Sequence, residues 1–389
     1  MNKLLVFRTH LLPYSETFVL AQVCHLKRWH AAILGEVRLD NGLSLQGLEV
    51  DTLLKNEEHY KNLSMNRAVN EFVRSSLLSK ANSFKNAGYK LIHAHFAVDA
   101  LRVYPLAKEM DVPLVVTLHG YDINRNHDWW QNGLGGRSMI TYPEELVKMS
   151  TDPKVRFIAV SKAIHQRAIE FGISPSKVTH IPIGVDVSYV EKFNLKFKQH
   201  NKEVIFVGRL TENKGCIFLL RAMRILQKRI DGVHLRIIGD GPLRNGLEEF
   251  AKIYNLNVSF LGVLPSANVM REISESKVLC LPSITIGNGE SEAFGLVLLE
   301  AQSLGVPVIT SSRGGKGEGL IHGETGYAFD ERDDKSLAEY LYRLLMDDEL
   351  AHAMGKKGYA FVKNNFDIVR QSEILESFYD DVVSEFNRG

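Results

Sequence analysis

The sequence predicts an α/β protein made of two doubly wound parallel sheets. Two observations carry this prediction: short apolar runs alternate with longer amphipathic stretches along the chain, and most short runs are apolar on both faces. Strands that are buried on both faces and separated by helices are typical of βαβ units in parallel sheets. A single open sheet of all the predicted strands would be unusually wide, and 389 residues are ample for two cores.

The short apolar runs predict ten strands. In chain order they are Leu4–Phe7, Ala31–Gly35, Leu91–His95, Leu114–His119, Phe157–Val160, Val204–Val207, Leu235–Gly239, Val258–Leu261, Val278–Leu281 and Val306–Thr310. Apolar residues at helical spacing predict helices between them, for example at Ile217–Ile230, Glu248–Tyr254 and Leu337–Met346. A last helix is predicted within Asn364–Glu385, after the second domain should be complete.

The domain boundary is expected at the polar, basic segment Glu191–Asn201, because a new strand follows it directly. We therefore expect one domain at residues 1–190, a second at 191–365, and a terminal helix over 366–389 that packs back on the first. No tandem repeat or low-complexity tract accompanies this division.

Composition excludes several classes of protein. The 47 Lys and Arg residues nearly balance the 46 Asp and Glu residues, and the net charge of +1 argues against nucleic-acid binding. Three widely separated cysteines, Cys24, Cys216 and Cys280, have apolar neighbours and are expected to be buried thiols. The first apolar run is too short for a signal peptide, and no run reaches the ~18 residues of a membrane span. We expect a cytoplasmic protein that meets a membrane only peripherally.

Two glutamates in the segment Ser291–Ala301 form the strongest motif. Glu292 and Glu300 lie on either side of a glycine that begins an apolar helix. Because eight helical residues turn through about 800°, both carboxylates should share one face. Phe294 and Gly295 would offer free N–H groups at the helix N-terminus, which suits an anion. The plain alternative is that Glu292 counters the helix dipole and Glu300 is solvated.

Cations precede this motif on another loop. Gly208 ends a strand, and Arg209 and Lys214 follow before the next helix begins. A planar guanidinium and a flexible ammonium beside a helix N-terminus suit a diphosphate, although basic residues on such loops are common. A further loop carries Gly239 and Gly241, which would let the backbone approach a ligand. The complete glycine fingerprint of a dinucleotide site is missing.

The first half contains histidines at strand ends. His93 and His95 alternate on one strand and so point to the same side, as metal-binding histidines do, but further ligands are not evident. His119 ends another strand, and either a ligand-binding or a hydrogen-bonded structural role fits it. Before these strands, Ser15 is expected to cap the first helix.

The segment His59–Lys90 contains six basic residues against the single acid Glu71. Apolar residues recur within it at helical spacing: Phe72, Val73, Leu77, Ala81 and Phe84. Two interpretations remain open, a basic amphipathic helix that lies on an anionic membrane and a domain helix with a solvated basic face.

Taken in order, these motifs resemble the C-terminal domain of retaining glycosyltransferases of family 4, which have the GT-B fold. The first half is similar to the N-terminal domain of that family at three segments, His119–Asp122, Val160–Lys162 and Ile181–Asp186. The segments Thr9–Phe18 and Ile92–Phe96 are similar to the branch of the family that makes exopolysaccharides such as colanic acid.

The resemblance implies two Rossmann-like domains that face each other across a cleft, the first binding an acceptor and the second a nucleotide sugar. It implies transfer of a glycosyl unit, with retention of configuration, from a nucleotide-diphosphate sugar to a saccharide acceptor. We expect that acceptor to be lipid-linked and to belong to exopolysaccharide, capsule or lipopolysaccharide synthesis. No cofactor is expected besides the donor substrate.

The resemblance also implies which residues act. Arg209 and Lys214 hold the diphosphate and stabilise charge on the leaving group, Glu292 holds the sugar hydroxyls, and His119 faces the donor sugar. Glu300 accepts hydrogen bonds from the ribose. The other donor-binding residues implied are Gly208, Gly239, Gly241, Phe294 and Gly295.

Metal independence is expected, because two cations can neutralise the leaving group and no Asp-x-Asp pair lies near the site. Two other functions remain open. A nucleotide-sugar epimerase of the same fold would need carboxylates placed for proton abstraction. A non-catalytic subunit of a polysaccharide assembly complex would have lost one of the four charged site residues, and all four are present.

Overall fold

The computed structural model describes residues 1–13, 16–40, 42–54, 67–188, 202–311 and 314–388. The chain forms two compact units. Unit 1 comprises Met1–Gly184 and Ile368–Gly389, and unit 2 comprises Val185–Asp367. The division therefore comes a few residues before the expected position near residue 190. The segment Glu191–Asn201, which suggested the later position, lies outside the described residues.

Unit 1 contains a parallel sheet with the strand order β3-β2-β1-β4-β5-β6-β7. Its strands are β1 (Asn2–Leu11), β2 (Trp29–Arg38), β3 (Glu49–Leu54), β4 (Tyr89–His95), β5 (Leu114–Leu118), β6 (Val155–Ala159) and β7 (Val178–His180). Its helices are α1 (Thr17–Cys24), α2 (Arg67–Ser79), α3 (Ala81–Asn86), α4 (Ala97–Met110), α5 (Tyr121–Asn124), α6 (His127–Gln131), α7 (Tyr142–Ser150), α8 (Lys162–Phe171) and, at the C-terminus, α15 (Ile368–Arg388).

Unit 2 contains a second parallel sheet, with the strand order β10-β9-β8-β11-β12-β13. Its strands are β8 (Glu203–Val207), β9 (His234–Ile238), β10 (Val258–Gly262), β11 (Val278–Leu281), β12 (Val308–Ser311) and β13 (Gly326–Phe329). Its helices are α9 (Cys216–Leu226), α10 (Arg244–Ile253), α11 (Ser266–Ser274), α12 (Leu296–Ser303), α13 (Asp334–Met346) and α14 (Asp348–Phe366).

The strand order reverses once in each sheet. In unit 1 the chain moves outward from β1 through β2 and β3, and then returns to the other side of β1 at β4. Unit 2 repeats this reversal between β8 and β11. Loops that leave adjacent strands in opposite directions open a crevice at the carboxyl end of the sheet, where ligands of such folds bind. The prediction of two Rossmann-like sheets is confirmed.

All ten predicted strands are present, and the three missed strands lie at sheet edges. β3 and β7 close the two sides of the first sheet, and β13 closes one side of the second. Edge strands are short and pair on one side only, so they need not be continuous apolar runs. β3 shows this, since five of its six residues are not fully buried.

The terminal helix starts later than predicted. The helix α14 continues to Phe366, and α15 begins at Ile368 and belongs to unit 1. The buried carboxylate of Glu376 accepts hydrogen bonds from the backbone N–H groups at residues 27, 28 and 29, at 2.6–3.0 Å. Asp380 accepts one from the indole of Trp29 at 3.0 Å. These bonds tie the last helix to the start of β2, as expected for a helix that returns to the first domain.

The described part of the basic segment, from residue 67 onward, forms two helices, α2 and α3, and the start of β4 instead of a single helix. Val73, Leu77 and Ala81 are buried, but Phe72, predicted on the same face, is 55% exposed. Lys61 lies outside the described residues. Among the described helices, none has both the length and the apolar composition to cross a bilayer.

The expectation of buried cysteines is correct at two positions and wrong at the third. Cys216 and Cys280 are buried, whereas Cys24 is exposed at the end of α1. The apolar neighbours of Cys24 in sequence face the core from the other side of the helix, where Val19 and Val23 are buried.

Candidate active site

The predicted donor-binding residues of unit 2 lie on loops at the carboxyl ends of β8, β9 and β11, around the strand-order reversal, except for Glu300, which lies on α12. The first loop runs from Gly208 to Gly215, where α9 begins. Gly215 has a φ of +65°, and a Cβ there would lie 2.0 Å from the carbonyl oxygen of Pro282. Only glycine allows this loop to touch the chain leaving β11.

The glycines of the second loop allow it to pack on the first. Gly239 has a φ of +129°, and a Cβ there would lie 2.0 Å from the carbonyl oxygen of Gly208. A Cβ on Gly241 would lie 2.6 Å from the carbonyl oxygen of Leu210, whose own N–H donates to Asp240 O at 2.9 Å. The structure thus gives Gly239 and Gly241 a loop-packing role that the sequence did not indicate.

The two predicted cations differ in their surroundings. Arg209 is exposed, and its guanidinium makes no ion pair with any residue that the structure describes. The ammonium of Lys214 is largely buried and forms an ion pair with Oε2 of Glu292. This pair joins residues 78 positions apart in the chain, on the loops after β8 and β11. The hydroxyl of Ser283 also donates to Oε2 of Glu292, at 3.5 Å.

The predicted helical relation between the two glutamates is wrong. The helix α12 begins at Leu296, so Glu292 precedes it and only Glu300 lies on it. Gly295, the residue directly before α12, has a φ of +79°, a left-handed conformation that favours glycine. The position of Glu292 is set by its ion pair with Lys214 and not by helical rotation.

The N-terminus of α12 offers backbone donors. Neither Phe294 nor Gly295 uses its N–H in a hydrogen bond to a described residue. The ring of Phe294 is buried and packs against Phe366, with centroids 5.5 Å apart, which anchors this backbone. Glu300 lies just past the first turn of α12, and burial raises the pKa of its carboxyl to about 7. The site thus presents free N–H groups and a carboxyl that titrates near neutral pH.

In unit 1, His119 follows β5 and has close ring neighbours. Its Nε2 lies 3.0 Å from Nδ1 of His95. The rings of Phe18 and Phe96 lie 4.9 and 4.5 Å from it, centroid to centroid. Burial lowers the pKa of His119 well below its usual value, and the nearby Arg8 lowers it further. The imidazole is therefore neutral and can donate or accept a hydrogen bond.

Asp122 holds the turn that carries His119. Its carboxylate accepts hydrogen bonds from the backbone N–H groups of Ala97, His119 and Gly120, at 2.8, 3.1 and 2.9 Å. It is fully buried, and burial raises its pKa to about 6 in spite of these bonds. Asp122 therefore positions the backbone between β5 and α5.

Two family models match the chain in succession. Residues 54–189 match the model described as Glycosyltransferase Family 4, and residues 189–361 match the model described as Glycosyl transferases group 1. Together they cover most of both units. Both models describe glycosyltransferases, so the chain is a glycosyltransferase.

Relatives of this glycosyltransferase include enzymes with different products. Glycogen synthase of Mycobacterium tuberculosis is 28% identical over 299 residues, which are 76% of this chain and 70% of that protein. The amylovoran biosynthesis glycosyltransferase AmsK of Erwinia amylovora is 27% identical over 259 residues, 65% of this chain and 60% of that protein. The crystal structure of Anabaena HepE in complex with UDP-glucose superimposes with a TM-score of 0.75 and 19% identity, over 98% of this chain and 100% of that one. This likeness confirms the GT-B fold.

A buried ion cluster lies at the reversal point of unit 1 and was not predicted from the sequence. The guanidinium of Arg8 donates from Nε to Glu16 at 2.9 Å and from Nη1 to Asp99. Asp99 also accepts from the N–H and hydroxyl of Thr9, at 2.9 and 2.7 Å. All three charged side chains are at least nine-tenths buried. A signal was present, because charged residues follow two apolar strands that are expected to be neighbours.

The same cluster bears on the start of α1. The helix begins at Thr17, and the residue before it, Glu16, is engaged by Arg8 and makes no side-chain cap. Ser15, which was expected to cap this helix, lies outside the described residues.

The histidines of β4 have a structural environment. His93 is buried, with Nδ1 2.6 Å from the hydroxyl of Tyr379 and Nε2 2.7 Å from that of Thr117. Both its nitrogens are thus used by the protein. Among the described residues, no group of three or more His, Cys, Asp or Glu side chains is placed to hold a metal ion.

Proposed function

We propose that this glycosyltransferase moves a sugar from a nucleotide-diphosphate sugar to a saccharide acceptor, with retention of anomeric configuration. The observation that supports the donor site most directly is the Lys214–Glu292 ion pair beside the exposed Arg209. It brings two distant motifs together at the point where ligands of doubly wound folds bind. In this proposal unit 2 binds the nucleotide sugar and unit 1 the acceptor.

The diphosphate binds to Arg209 and Lys214. A lysine ammonium has three N–H donors, so Lys214 can contact a phosphate oxygen while it keeps its bond to Glu292. As the bond between the anomeric carbon and the phosphate oxygen breaks, negative charge grows on the departing diphosphate. Both cations then stabilise that charge more strongly than they do in the ground state.

The remainder of the donor binds to α12 and the segment before it. The N–H groups of Phe294 and Gly295, together with Glu292, bind hydroxyls of the sugar. The ionised carboxyl of Glu300 accepts hydrogen bonds from the ribose hydroxyls. This assignment uses the free N–H groups and gives the partly buried carboxyl on α12 a hydrogen-bonding role.

Transfer proceeds without a metal ion in this proposal, because Arg209 and Lys214 supply two positive charges at the leaving group. Initial rates with a purified donor should be unchanged after dialysis against EDTA. A rate that falls with EDTA and returns on addition of Mg²⁺ or Mn²⁺ would contradict it.

Retention of configuration is supported by the surroundings of Asp122. This carboxylate follows His119 closely in the chain, but three backbone N–H groups occupy its oxygens, so it is poorly placed to deprotonate an acceptor. The acceptor hydroxyl instead attacks the anomeric carbon from the side of the leaving group and gives its proton to the departing phosphate. The neutral His119 orients the sugar by hydrogen bonding and transfers no proton.

Proton NMR of the purified product tests the stereochemistry. An α-linked donor should give an α-linked product, and His119→Ala should lower the rate without changing the anomer. A β-linked product from an α-linked donor would refute the retaining mechanism.

The names of the relatives support a role in surface polysaccharide synthesis, namely of exopolysaccharide, capsule or lipopolysaccharide. AmsK is named for amylovoran biosynthesis, and HepE has been crystallised with UDP-glucose. A thermal-shift screen over nucleoside diphosphates of all bases tests the donor class, because a ligand that binds only the folded state raises its melting temperature. At least one diphosphate should raise it, and no shift with any base would count against a nucleotide donor.

We further propose that the acceptor is lipid-linked and that the basic helices α2 and α3 contact an anionic membrane peripherally. Arg74 and Lys85 are exposed there, as is the apolar side chain of Phe72, and the exposed Lys90 follows at the start of β4. Each such basic residue contributes about 1 kcal/mol near an anionic surface. The pairing of Lys80 with Asp51 at 2.6 Å removes one charge from this set.

Co-sedimentation with liposomes tests the membrane contact. The protein should bind vesicles rich in phosphatidylserine, release at high salt, and ignore neutral vesicles. Arg74→Glu with Lys85→Glu should abolish binding, while the charge-matched control Lys335→Glu with Lys356→Glu, exposed in unit 2, should retain it. Equal binding by both double variants would place the contact elsewhere.

A further inference from the structure

His95 and His119 form a bonded pair of imidazoles at the ends of neighbouring strands. Their rings are stacked, with centroids 5.3 Å apart and planes 25° apart, and Nδ1 of His95 lies 3.0 Å from Nε2 of His119. His95 is 1% exposed. Its other ring nitrogen, Nε2, is buried and has no hydrogen-bond partner in the described part of the chain.

Only one of the two facing nitrogens can carry a proton. Burial lowers the pKa values of both imidazoles well below the usual range, so each ring is neutral and has one N–H. If His119 donated, the single proton of His95 would sit on its buried, unpartnered Nε2. A buried N–H without an acceptor is among the rarest arrangements in proteins, whereas an unused lone pair is tolerated more often.

His93 cannot relieve this situation. Its ring lies 4.4 Å from that of His95, centroid to centroid, but Tyr379 and Thr117 take both of its nitrogens. His95 therefore lies between His93, whose ring nitrogens are both hydrogen-bonded, and His119. Its Nδ1 has one available partner among the described residues, and that partner is Nε2 of His119.

We infer that His95 is a positioning residue that donates its Nδ1–H to Nε2 of His119 and so fixes the tautomer of His119. The proton of His119 is then on Nδ1, which makes no hydrogen bond to any described residue. That N–H remains the one side-chain donor that His119 can offer to a ligand oxygen. This inference rests on the proposed function for the role of the donor, since a sugar hydroxyl is the ligand that His119 would meet.

Nitrogen NMR of histidine-labelled protein tests the tautomer directly and without substrate. A protonated ring nitrogen and a bare one resonate far apart, and His119→Gln identifies the signals of His119 among the 14 histidines. We expect the proton of His119 on Nδ1 in the wild-type protein. A proton on Nε2 would overturn the inference.

Variants of His95 then separate positioning from packing. His95→Leu keeps an apolar side chain but removes the donor, so His119 should shift toward the Nε2–H form and kcat should fall roughly 10-fold to 100-fold, the usual scale for losing the partner that orients a histidine. His95→Asn places an amide N–H near the former Nδ1 and should restore the tautomer and most of kcat. A wild-type tautomer and kcat in His95→Leu would refute the role.

His93→Leu is the matched control. It perturbs the same buried stack and is expected to lower the melting temperature, but it should leave the tautomer of His119 unchanged. A shift of the tautomer in this variant would mean that packing, and not the His95 hydrogen bond, sets it. Failure of the proposed function would appear separately, as absence of glycosyl transfer by the wild-type protein whatever the NMR spectrum shows.

Discussion

The two units share one topology but fill the crevice at their strand-order reversal in opposite ways. In unit 1 the chain places its own charges there, because Arg8 in the second half of β1 is enclosed by Glu16 and Asp99. In unit 2 the loop after β8 presents Arg209 to solvent and pairs only Lys214. The same fold can therefore produce a self-neutralised scaffold or a crevice with unpaired positive charge.

The helix N-termini explain the difference. In unit 1, Asp99 lies in the first turn of α4 and Glu16 directly precedes α1, so carboxylates of the chain occupy the places where a helix attracts an anion. In unit 2, α9 and α12 have no acidic residue in their first turns. A bound diphosphate would take the place there that protein carboxylates take in unit 1.

The largest effect is expected from breaking the ion cluster of unit 1. Arg8→Met leaves Glu16 and Asp99 buried without a counter-charge and should lower the free energy of unfolding by about 3–5 kcal/mol. All three tryptophans, Trp29, Trp129 and Trp130, lie in unit 1, so their fluorescence during urea unfolding reports this unit.

The control for this prediction removes all three charges. Arg8→Met combined with Glu16→Gln and Asp99→Asn should recover most of the stability, because no unpaired charge is then buried. A single variant as stable as the wild type would show that the cluster is not the stabilising element we describe.

A smaller effect, on catalysis alone, is expected in unit 2. Arg209→Ala and Lys214→Ala should each lower turnover about 100-fold or more, the scale for losing one preorganised contact to developing charge. Arg209→Ala should leave the melting temperature unchanged, because its side chain is exposed and unpaired among the described residues. Arg271→Ala, an exposed arginine on α11, is the control and should keep full activity. Activity within threefold of wild type in either site variant would refute the diphosphate assignment.

The smallest effect concerns pH. The folded-state pKa of Glu300 is raised to about 7 by burial, so its carboxyl is mostly protonated at pH 6 and mostly ionised at pH 8. Since in our proposal it is the ionised form that accepts hydrogen bonds from the ribose hydroxyls, the KM for the donor should fall roughly tenfold between these pH values. This measurement should use a nucleotide sugar and not a free nucleoside diphosphate, because the terminal phosphate of the free diphosphate titrates in the same pH range.

Ionisation of Glu300 is expected to favour donor binding but to destabilise the folded protein. The folded carboxyl binds its proton more tightly than the unfolded chain, so the unfolding free energy should fall as pH rises from the ordinary value of 4.5 to about 7. Glu300→Gln should abolish the pH dependence of KM, and the exposed control Glu249→Gln should preserve it. A wild-type pH profile in Glu300→Gln would mean that another group titrates.

Much of the fold could be predicted because each central strand carries its own signal. A strand such as β11 is buried on both faces and appears in the sequence as an unbroken apolar run. The edge strand β3 lacks that signal, since its exposed side accepts polar residues, and it was missed. The start of the last helix was predicted a few residues too early, because it is separated from the preceding helix by a single residue, Asp367.

In the candidate site, too, some features can be predicted from local sequence and others depend on tertiary contacts. Local sequence predicts Arg209, Lys214 and Glu292 as site residues, because glycine and charge at the end of an apolar strand indicate a ligand loop. It did not reveal that Lys214 pairs with Glu292 or that Arg8 is enclosed by two carboxylates. The Lys214–Glu292 and Arg8–Asp99 pairs each join segments of two strands that become neighbours only when the sheet reverses its order, so these pairs were decided by the tertiary structure.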